Sequence, residues 1–324
     1  MILQYWSGLG AKDSLAHHDC RGWNHIITII FLTNKLKSGK IPSSMERLKS
    51  YGNFIKVEHT LFSLPLILSG AFLAADGCPK MKLLVLILLA GIGARTAALG
   101  LNRIIDREID RRNPRTAGRE LPSGIITLGG ALAVTCVGML IYIVSASLIC
   151  DLVLYLSPIP LIVFVSYPYM KRFTYLCHFG VGLGLALAPL GGWVAVTCSF
   201  KELLSPILLS LFTLFWVSGF DIIYATLDEE SDRKSGVFSL VSAFGRKRAL
   251  SVSALLHLFA FIVLVILYFY KFNTLYALPF LFVSGLLLFL EYKKSSNVDL
   301  AFFKINILVG VFVFIFVISG IYFP

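Results

Sequence analysis

The sequence predicts an all-α membrane protein of about nine transmembrane helices, with two aspartate-rich motifs at helix ends on one side. Three observations carry this. The chain is 57% hydrophobic and only 15% charged, with a mean hydropathy of +0.82, whereas a soluble domain carries about 25% charge. Apolar runs of the roughly 17–25 residues that span lipid recur from residue 55 to the C-terminus. The basic residues are segregated into alternate loops, as charge bias across a membrane requires.

Taken in order, residues 1–44 show no helical periodicity, and Ile26–Leu32 is too short to span. Its apolar stretch lies late and lacks a small-residue cleavage site, against a signal peptide. His17, His18 and Cys20 lack a second ligand pair. The segment is expected to be a poorly ordered extension or sequence upstream of the real start, with residues 45–324 forming the transmembrane domain. Met45-Glu46-Arg47-Leu48-Lys49 reads as an amphipathic lead-in. The nine spans are expected near 55–75, 83–106, 125–144, 151–168, 176–198, 204–224, 249–269, 277–292 and 302–322. Gly and Pro within them are tolerated in lipid, and Gly182, Gly184, Gly191 and Gly192 would let neighbouring helices approach closely. Cys20, Cys78, Cys136, Cys150, Cys177 and Cys198 form no CxxC pair and are read as small buried hydrophobes, neither disulfides nor metal ligands.

Orientation follows from Lys and Arg. One side collects Arg107, Arg111, Arg112, Arg115 and Arg119, then Lys171 and Arg172, then Arg233, Lys234, Arg246, Lys247 and Arg248, then Lys293, Lys294 and Lys304; the other has Lys80, Lys82, Lys201 and Lys271. The first side is therefore expected to be cytoplasmic. The same clustering beside membrane helices explains the net charge of +11 without a nucleic-acid partner, since no continuous basic face is formed.

Chemistry concentrates on that side. Half of the 18 acidic residues fall in two motif regions, and charge at membrane depth is costly unless functional. Asn102-x3-Asp106-x3-Asp110 and Asp221-x2-Tyr224-x3-Asp228-x3-Asp232 each follow an apolar span, and carboxylates four residues apart share a helix face. Such a surface suits Mg2+, which takes one or two carboxylates plus substrate phosphate oxygens. Nearby cations would stabilise a diphosphate leaving group. Lys171 and Arg172 could equally be orientation signals. The bland alternative, acids merely pairing with interfacial arginines, explains one motif better than it explains two matched ones. Lys56, with Glu58 and His59 at the start of the first span, is either an interfacial anchor or a cation for an acceptor carboxylate. A transporter would also use carboxylates, but at mid-membrane depth.

These residues resemble the UbiA-type intramembrane prenyltransferases. Asn102-Arg-Ile-Ile-Asp106-Arg-Glu-Ile-Asp110 and Asp221-Ile-Ile-Tyr224-Ala-Thr-Leu-Asp228-Glu-Glu-Ser-Asp232 match the paired motifs of that family. Arg115-Thr-Ala-Gly-Arg119-Glu-Leu-Pro122, Tyr167-Pro168-Tyr169-Met-Lys171-Arg172-Phe and Ala188-Pro189-Leu-Gly-Gly192-Trp193 add further matches, over about residues 50–322. The likeness is to the 4-hydroxybenzoate polyprenyltransferase group, with features of a menaquinone-pathway subgroup. It implies a helical bundle around a central cavity, open to lipid for an isoprenoid tail, in a bacterial-type inner membrane with the site facing the cytoplasm. It further implies Mg2+-dependent transfer of a polyprenyl group from its diphosphate to an aromatic acid, 4-hydroxybenzoate or a naphthoate, in ubiquinone or menaquinone synthesis. A macrocycle acceptor, as in haem or chlorophyll-type relatives, would demand a far larger pocket. Asp106 and Asp110 would hold one Mg2+ and Asp228 and Asp232 another, with Asn102 assisting. Arg107, Lys171 and Arg172 would bind diphosphate, and Asp221 and Tyr224 would orient the acceptor.

Overall fold

The computed structural model describes residues 44–56, 60–295 and 304–323. The expected extension with His17, His18 and Cys20 lies outside the described residues, as do Glu58 and His59. By its contacts the chain divides into Met1–Arg47 and Leu48–Pro324; the helical body below is the second unit.

The elements are α1 (Ser44–Phe54), α2 (Thr60–Ala75), α3 (Met81–Ile105), α4 (Arg107–Arg112), α5 (Leu128–Ile149), α6 (Asp151–Leu156), α7 (Pro158–Met170), α8 (Cys177–Thr197), α9 (Leu204–Ala225), α10 (Glu229–Ser235), α11 (Leu240–Leu267), α12 (Leu278–Lys293) and α13 (Asn306–Tyr322). A π-helical turn, Tyr268–Phe272, extends α11. Among the described residues six helices are long and apolar enough to cross a membrane: α3, α5, α6 with α7, α8, α9, and α11 with its π turn. The other three expected spans are shorter apolar helices, α2, α12 and α13, of 16, 16 and 17 residues. Sixteen residues cover about 24 Å at 1.5 Å per residue, less than a hydrocarbon core of about 30 Å.

Local chemistry sets several boundaries. Thr127 caps α5, accepting from the Gly130 amide at 3.1 Å. Ser239 and Ser242 form a reciprocal capping box, satisfying amides that a helix start leaves orphaned. That cap starts α11 nine residues before the expected position, and Gly245 (φ 78°) then kinks it, a conformation open to Gly without a Cβ penalty.

α9 packs between α8 and α11 and supplies much of the core, with Phe212, Trp216, Val217, Ile222 and Ile223 almost completely buried. The Trp216 indole donates to Asn306 Oδ1 on α13 at 2.9 Å, tying the last helix to the centre. The glycines of α8 divide by function. A Cβ on Gly192 would collide with the Ile67 carbonyl of α2, and one on Gly182 with Ser218 and the Leu214 carbonyl of α9; these two let the helices close. Around Gly191 a Cβ would meet nothing within 4 Å, and around Gly184 only Val163 and Phe164 at 3.8–3.9 Å. These two leave space instead.

The cysteine reading requires correction. Cys150 and Cys198 form a disulfide, with Cα atoms 6.5 Å apart across a sequence separation of 48. Cys78 and Cys136 are exposed, and Cys177 is half-buried. Cys150 ends α5 and Cys198 ends α8. Only the packing of the bundle brings those ends together, so no local spacing could announce the pair.

Candidate active site

The acidic motifs do not lie on continuous helices as expected. α3 stops at Asp106 (φ −88°, ψ 3°), which starts the separate short helix α4. α9 stops before Asp228 (φ −108°, ψ 4°), which starts α10. Within each short helix the four-residue relation survives: the Asp110 amide bonds the Asp106 carbonyl at 2.8 Å and the Asp232 amide the Asp228 carbonyl at 2.7 Å. Asn102, and likewise Asp221 with Tyr224, therefore belong to the long helix beneath each break. The breaks turn the carboxylates over the end of the bundle.

The carboxylates of Asp106, Asp110 and Asp228 are each engaged by a cation or amide. Lys171 Nζ donates to Asp106 Oδ2 at 2.5 Å, and Asn102 donates to the same oxygen at 3.1 Å. Arg119 reaches both Asp110 oxygens at 2.8 and 2.9 Å. Arg115 forks onto Asp228 at 2.8 and 2.5 Å and bonds the Tyr224 hydroxyl at 2.8 Å, while Asn113 donates to Asp228 at 2.6 Å. Thus the loop after the first motif clamps the second motif, a link spanning 113 residues of sequence.

The electrostatics follow. Burial pushes the Asp106 carboxyl up, opposed by Lys171. Burial would lower Lys171, yet Asp106 beside it holds the ammonium above its usual range. Burial raises Asp228 too, but the Arg115 and Asn113 hydrogen bonds outweigh it and keep the carboxyl low. Asp232 has no such fork; burial, then the Asp228 charge, push it up to about 6. The site is a set of carboxylates whose charge is held in check by mobile-stemmed cations.

Three cavities adjoin. An acidic one of about 190 Å³ is lined by Asn102, Asp106, Asp110, Lys171, Asp221, Tyr224, Asp228 and Asp232, together with Asn113, Arg115, Arg119 and His178. A deeper one of about 360 Å³ shares Asn102, Arg115, Arg119, Tyr167, Asp221 and Tyr224 with it, and adds Arg95, Phe164 and Lys56. A third, apolar one of about 140 Å³ shares Arg95, Ala98, Phe164, Gly184 and Leu185 with the second and continues past Gly191 to Ala195. Arg107 and Arg172 line none of the three; Arg172 instead donates to the Ile105 carbonyl at 2.7 Å.

Several lining residues were not singled out by sequence. Arg95 is a cation inside an apolar span, a signal of function by itself. Asn113 and His178 gave no such signal, because their partners lie elsewhere in the chain. For a divalent cation the donor chemistry fits: the buried Asp106 Oδ1 has no hydrogen-bond partner, and five aspartates line one cavity. Among the described residues no three His, Cys, Asp or Glu side chains gather tightly enough to hold an ion alone. That suits Mg2+, which relies on substrate phosphate for several of its ligands.

The UbiA prenyltransferase family model matches residues 63–320. The chain belongs to the UbiA prenyltransferase family. It is accordingly a membrane transferase of prenyl groups. It is 31% identical over 206 residues to the 4-hydroxybenzoate octaprenyltransferase of Aliivibrio fischeri, covering 63% of this chain and 72% of that one. It is 27% identical over 254 residues to the enzyme of the same name from Vesicomyosocius okutanii, covering 77% and 92%. The apo structure of a UbiA homolog from Aeropyrum pernix superimposes with a TM-score of 0.75 at 32% identity, covering 81% of this chain and 98% of that one. A UbiA homolog from Archaeoglobus fulgidus, solved with GPP and Mg2+, shares the fold at a TM-score of 0.64 and 18% identity, covering 84% and 99%.

Proposed function

We propose that this prenyltransferase moves a polyprenyl group from its diphosphate to an aromatic acid, 4-hydroxybenzoate being the acceptor that the named relatives favour. The adjoining cavities carry this reading: one polar and acidic, one holding an arginine among aromatic rings, one apolar, sharing walls in that order. A diphosphate, an aromatic acid and an isoprenoid tail need those three environments side by side.

Asp106, Asp110, Asp228 and Asp232, with Asn102 assisting, would hold Mg2+, which when bound neutralises the diphosphate and stabilises it as a leaving group. Lys171, Arg115 and Arg119, which pair with Asp106, Asp228 and Asp110, would turn to the phosphate oxygens. They thereby exchange one charge-assisted bond for another. Arg107 and Arg172, expected from the sequence to bind phosphate, line none of these cavities and take no part in this reading. The tail lies along the apolar cavity past Gly191. As the allylic C–O bond breaks, the faces of Tyr167, Phe164 and Tyr224 stabilise the carbocation and the apolar wall keeps water away. Arg95 takes the acceptor carboxylate in a bidentate pair. Asp221 accepts the phenol hydrogen bond beside Tyr224, raising electron density at the ortho carbon. A C–C bond forms there, and one proton leaves the acceptor. The acidic ends would face the cytoplasm of a bacterial-type inner membrane, and the product would enter quinone synthesis.

The test offers membranes containing the enzyme one labelled polyprenyl diphosphate with 4-hydroxybenzoate, a dihydroxynaphthoate or no acid, with and without a chelator. Mass spectrometry of the lipid extract should show a prenylated hydroxybenzoate that disappears on Mg2+ removal. Absence of any prenylated acid sinks the aromatic reading; a naphthoate product alone moves the enzyme to the other quinone branch.

A further inference from the structure

We propose that His178 is a positioning residue for the acceptor step: it holds Asp221 aimed at the acceptor phenol, so that Asp221 takes the phenol proton as the new bond forms. The proposal rests on the aromatic-acid reading above and assigns a proton acceptor within it.

His178 sits in the first turn of α8 and is 2% exposed; its Nδ1 lies 2.7 Å from Asp221 Oδ2 on α9. On the other side of the ring, Nε2 accepts from the backbone amide of Leu240 at the start of α11, at 3.4 Å. An imidazole nitrogen that accepts from an amide carries a lone pair there, so the proton resides on Nδ1 and is donated to Asp221. Three helices thus fix the ring: α8 bears it, α11 sets its tautomer, and α9 presents its partner. The Ser239–Ser242 capping box holds the α11 amide in place.

Asp221 differs from Asp106, Asp110 and Asp228. Among the described residues no Arg or Lys salt-bridges it, whereas each of those three is held by one. Among the described residues its one salt-bridge partner is His178, and it lines both the acidic and the deeper cavity. One carboxylate oxygen is occupied by His178, which orients the other. A carboxylate oriented by one donor and lining both cavities presents its other oxygen where the acceptor ring would lie, within reach of the phenol proton. Arg115 and Arg119 instead occupy both oxygens of Asp228 and Asp110. The balance is simple. The allylic C–O bond breaks and diphosphate departs with its electron pair. The phenol O–H proton passes to Asp221 as the ortho carbon forms the C–C bond. The ring then returns its ortho proton to oxygen to restore the phenol, and Asp221 releases one proton.

Wild type, His178→Gln, His178→Ala and Asp221→Asn would be purified and assayed for binding of a non-hydrolysable prenyl diphosphate analogue with Mg2+. Their kcat and KM would then be measured with 4-hydroxybenzoate and with its more acidic ring-fluorinated analogue. His178→Ala should bind the donor analogue as wild type does and lose kcat by about 10–100-fold, the usual cost of removing an orienting partner. The fluorinated-to-parent rate ratio should rise at least several-fold over wild type, because a more acidic phenol depends less on an aligned base. His178→Gln, whose amide can still donate to Asp221, should restore the ratio and most of kcat. Wild-type kcat in His178→Ala overturns the proposal. So does an equal loss with both acceptors, or equal loss in the Gln and Ala variants, since a merely structural role predicts that. If wild-type enzyme transfers to neither phenol, the aromatic reading itself fails and takes this inference with it.

Discussion

At the scale of single residues, the proposed site would exchange one set of charge pairs for another. Lys171, Arg115 and Arg119 sit on the carboxylates that the metal–diphosphate pair would claim, so a substrate-free pocket avoids unpaired buried charge. Asp106→Ala and Asp228→Ala should each cut turnover by about 10²–10³-fold, roughly 2.7–4 kcal/mol of lost electrostatic stabilisation, while membrane insertion is unchanged. Near-wild-type turnover of either purified variant at saturating Mg2+ would refute the metal assignment. Arg115→Ala has a different signature. It leaves Asp228, whose side chain is 14% exposed, without its fork, and an unsatisfied buried group costs about 1–3 kcal/mol. The metal-free variant should therefore melt earlier than wild type, and Mg2+ with a diphosphate analogue should recover more stability in the variant than in wild type. Thermal melts with and without these ligands check this; equal ligand stabilisation in both proteins would show that Arg115 does not stand in for them.

At the scale of elements, α8 shows how one helix both closes and opens the bundle. Gly192 meets the Ile67 carbonyl of α2, while its neighbour Gly191 borders the apolar cavity with open space above its Cα. Gly192→Ala should push α2 away at about 1–3 kcal/mol, the usual cost of overpacking, and lower the melting temperature with little change in donor preference. Gly191→Leu should fold normally but fill the cavity. Turnover with long polyprenyl donors should then fall at least several-fold more than with a geranyl donor. Competition between the two donors reads this directly, and an unchanged preference would place the tail elsewhere. The helix breaks at Asp106 and Asp228 act on the same scale: each starts a short helix whose aspartates line the acidic cavity.

At the scale of the whole molecule, the disulfide and the acidic motifs mark opposite ends. α3 ends at Asp106 and α5 starts beyond the following loop, so Cys150 at the far end of α5 lies away from the site; Cys198 likewise ends α8, whose first turn holds His178. Disulfides persist in oxidising compartments, which is compatible with the proposed cytoplasmic position of the acidic ends. In intact cells, a membrane-impermeant reductant followed by an impermeant maleimide should label Cys150 and Cys198 but not Cys177, which lines the acidic cavity. Labelling of Cys177 alone from outside would invert the topology.

Much of this protein was legible in the chain itself. Apolar run length located the helices, since lipid imposes a length and forbids unpaired backbone. The four-residue spacing of Asp106 with Asp110 and of Asp228 with Asp232 pointed to residues that line one cavity, because that spacing is a property of one helical turn. Eight of the expected site residues line a single cavity; Arg107 and Arg172 do not. What depends on distance through space was decided only by the tertiary structure. The Arg115–Asp228 clamp, the Cys150–Cys198 bond and the His178–Asp221 pair join residues 113, 48 and 43 positions apart. No local periodicity encodes such pairings, which arise when close-packed helices bring remote ends together.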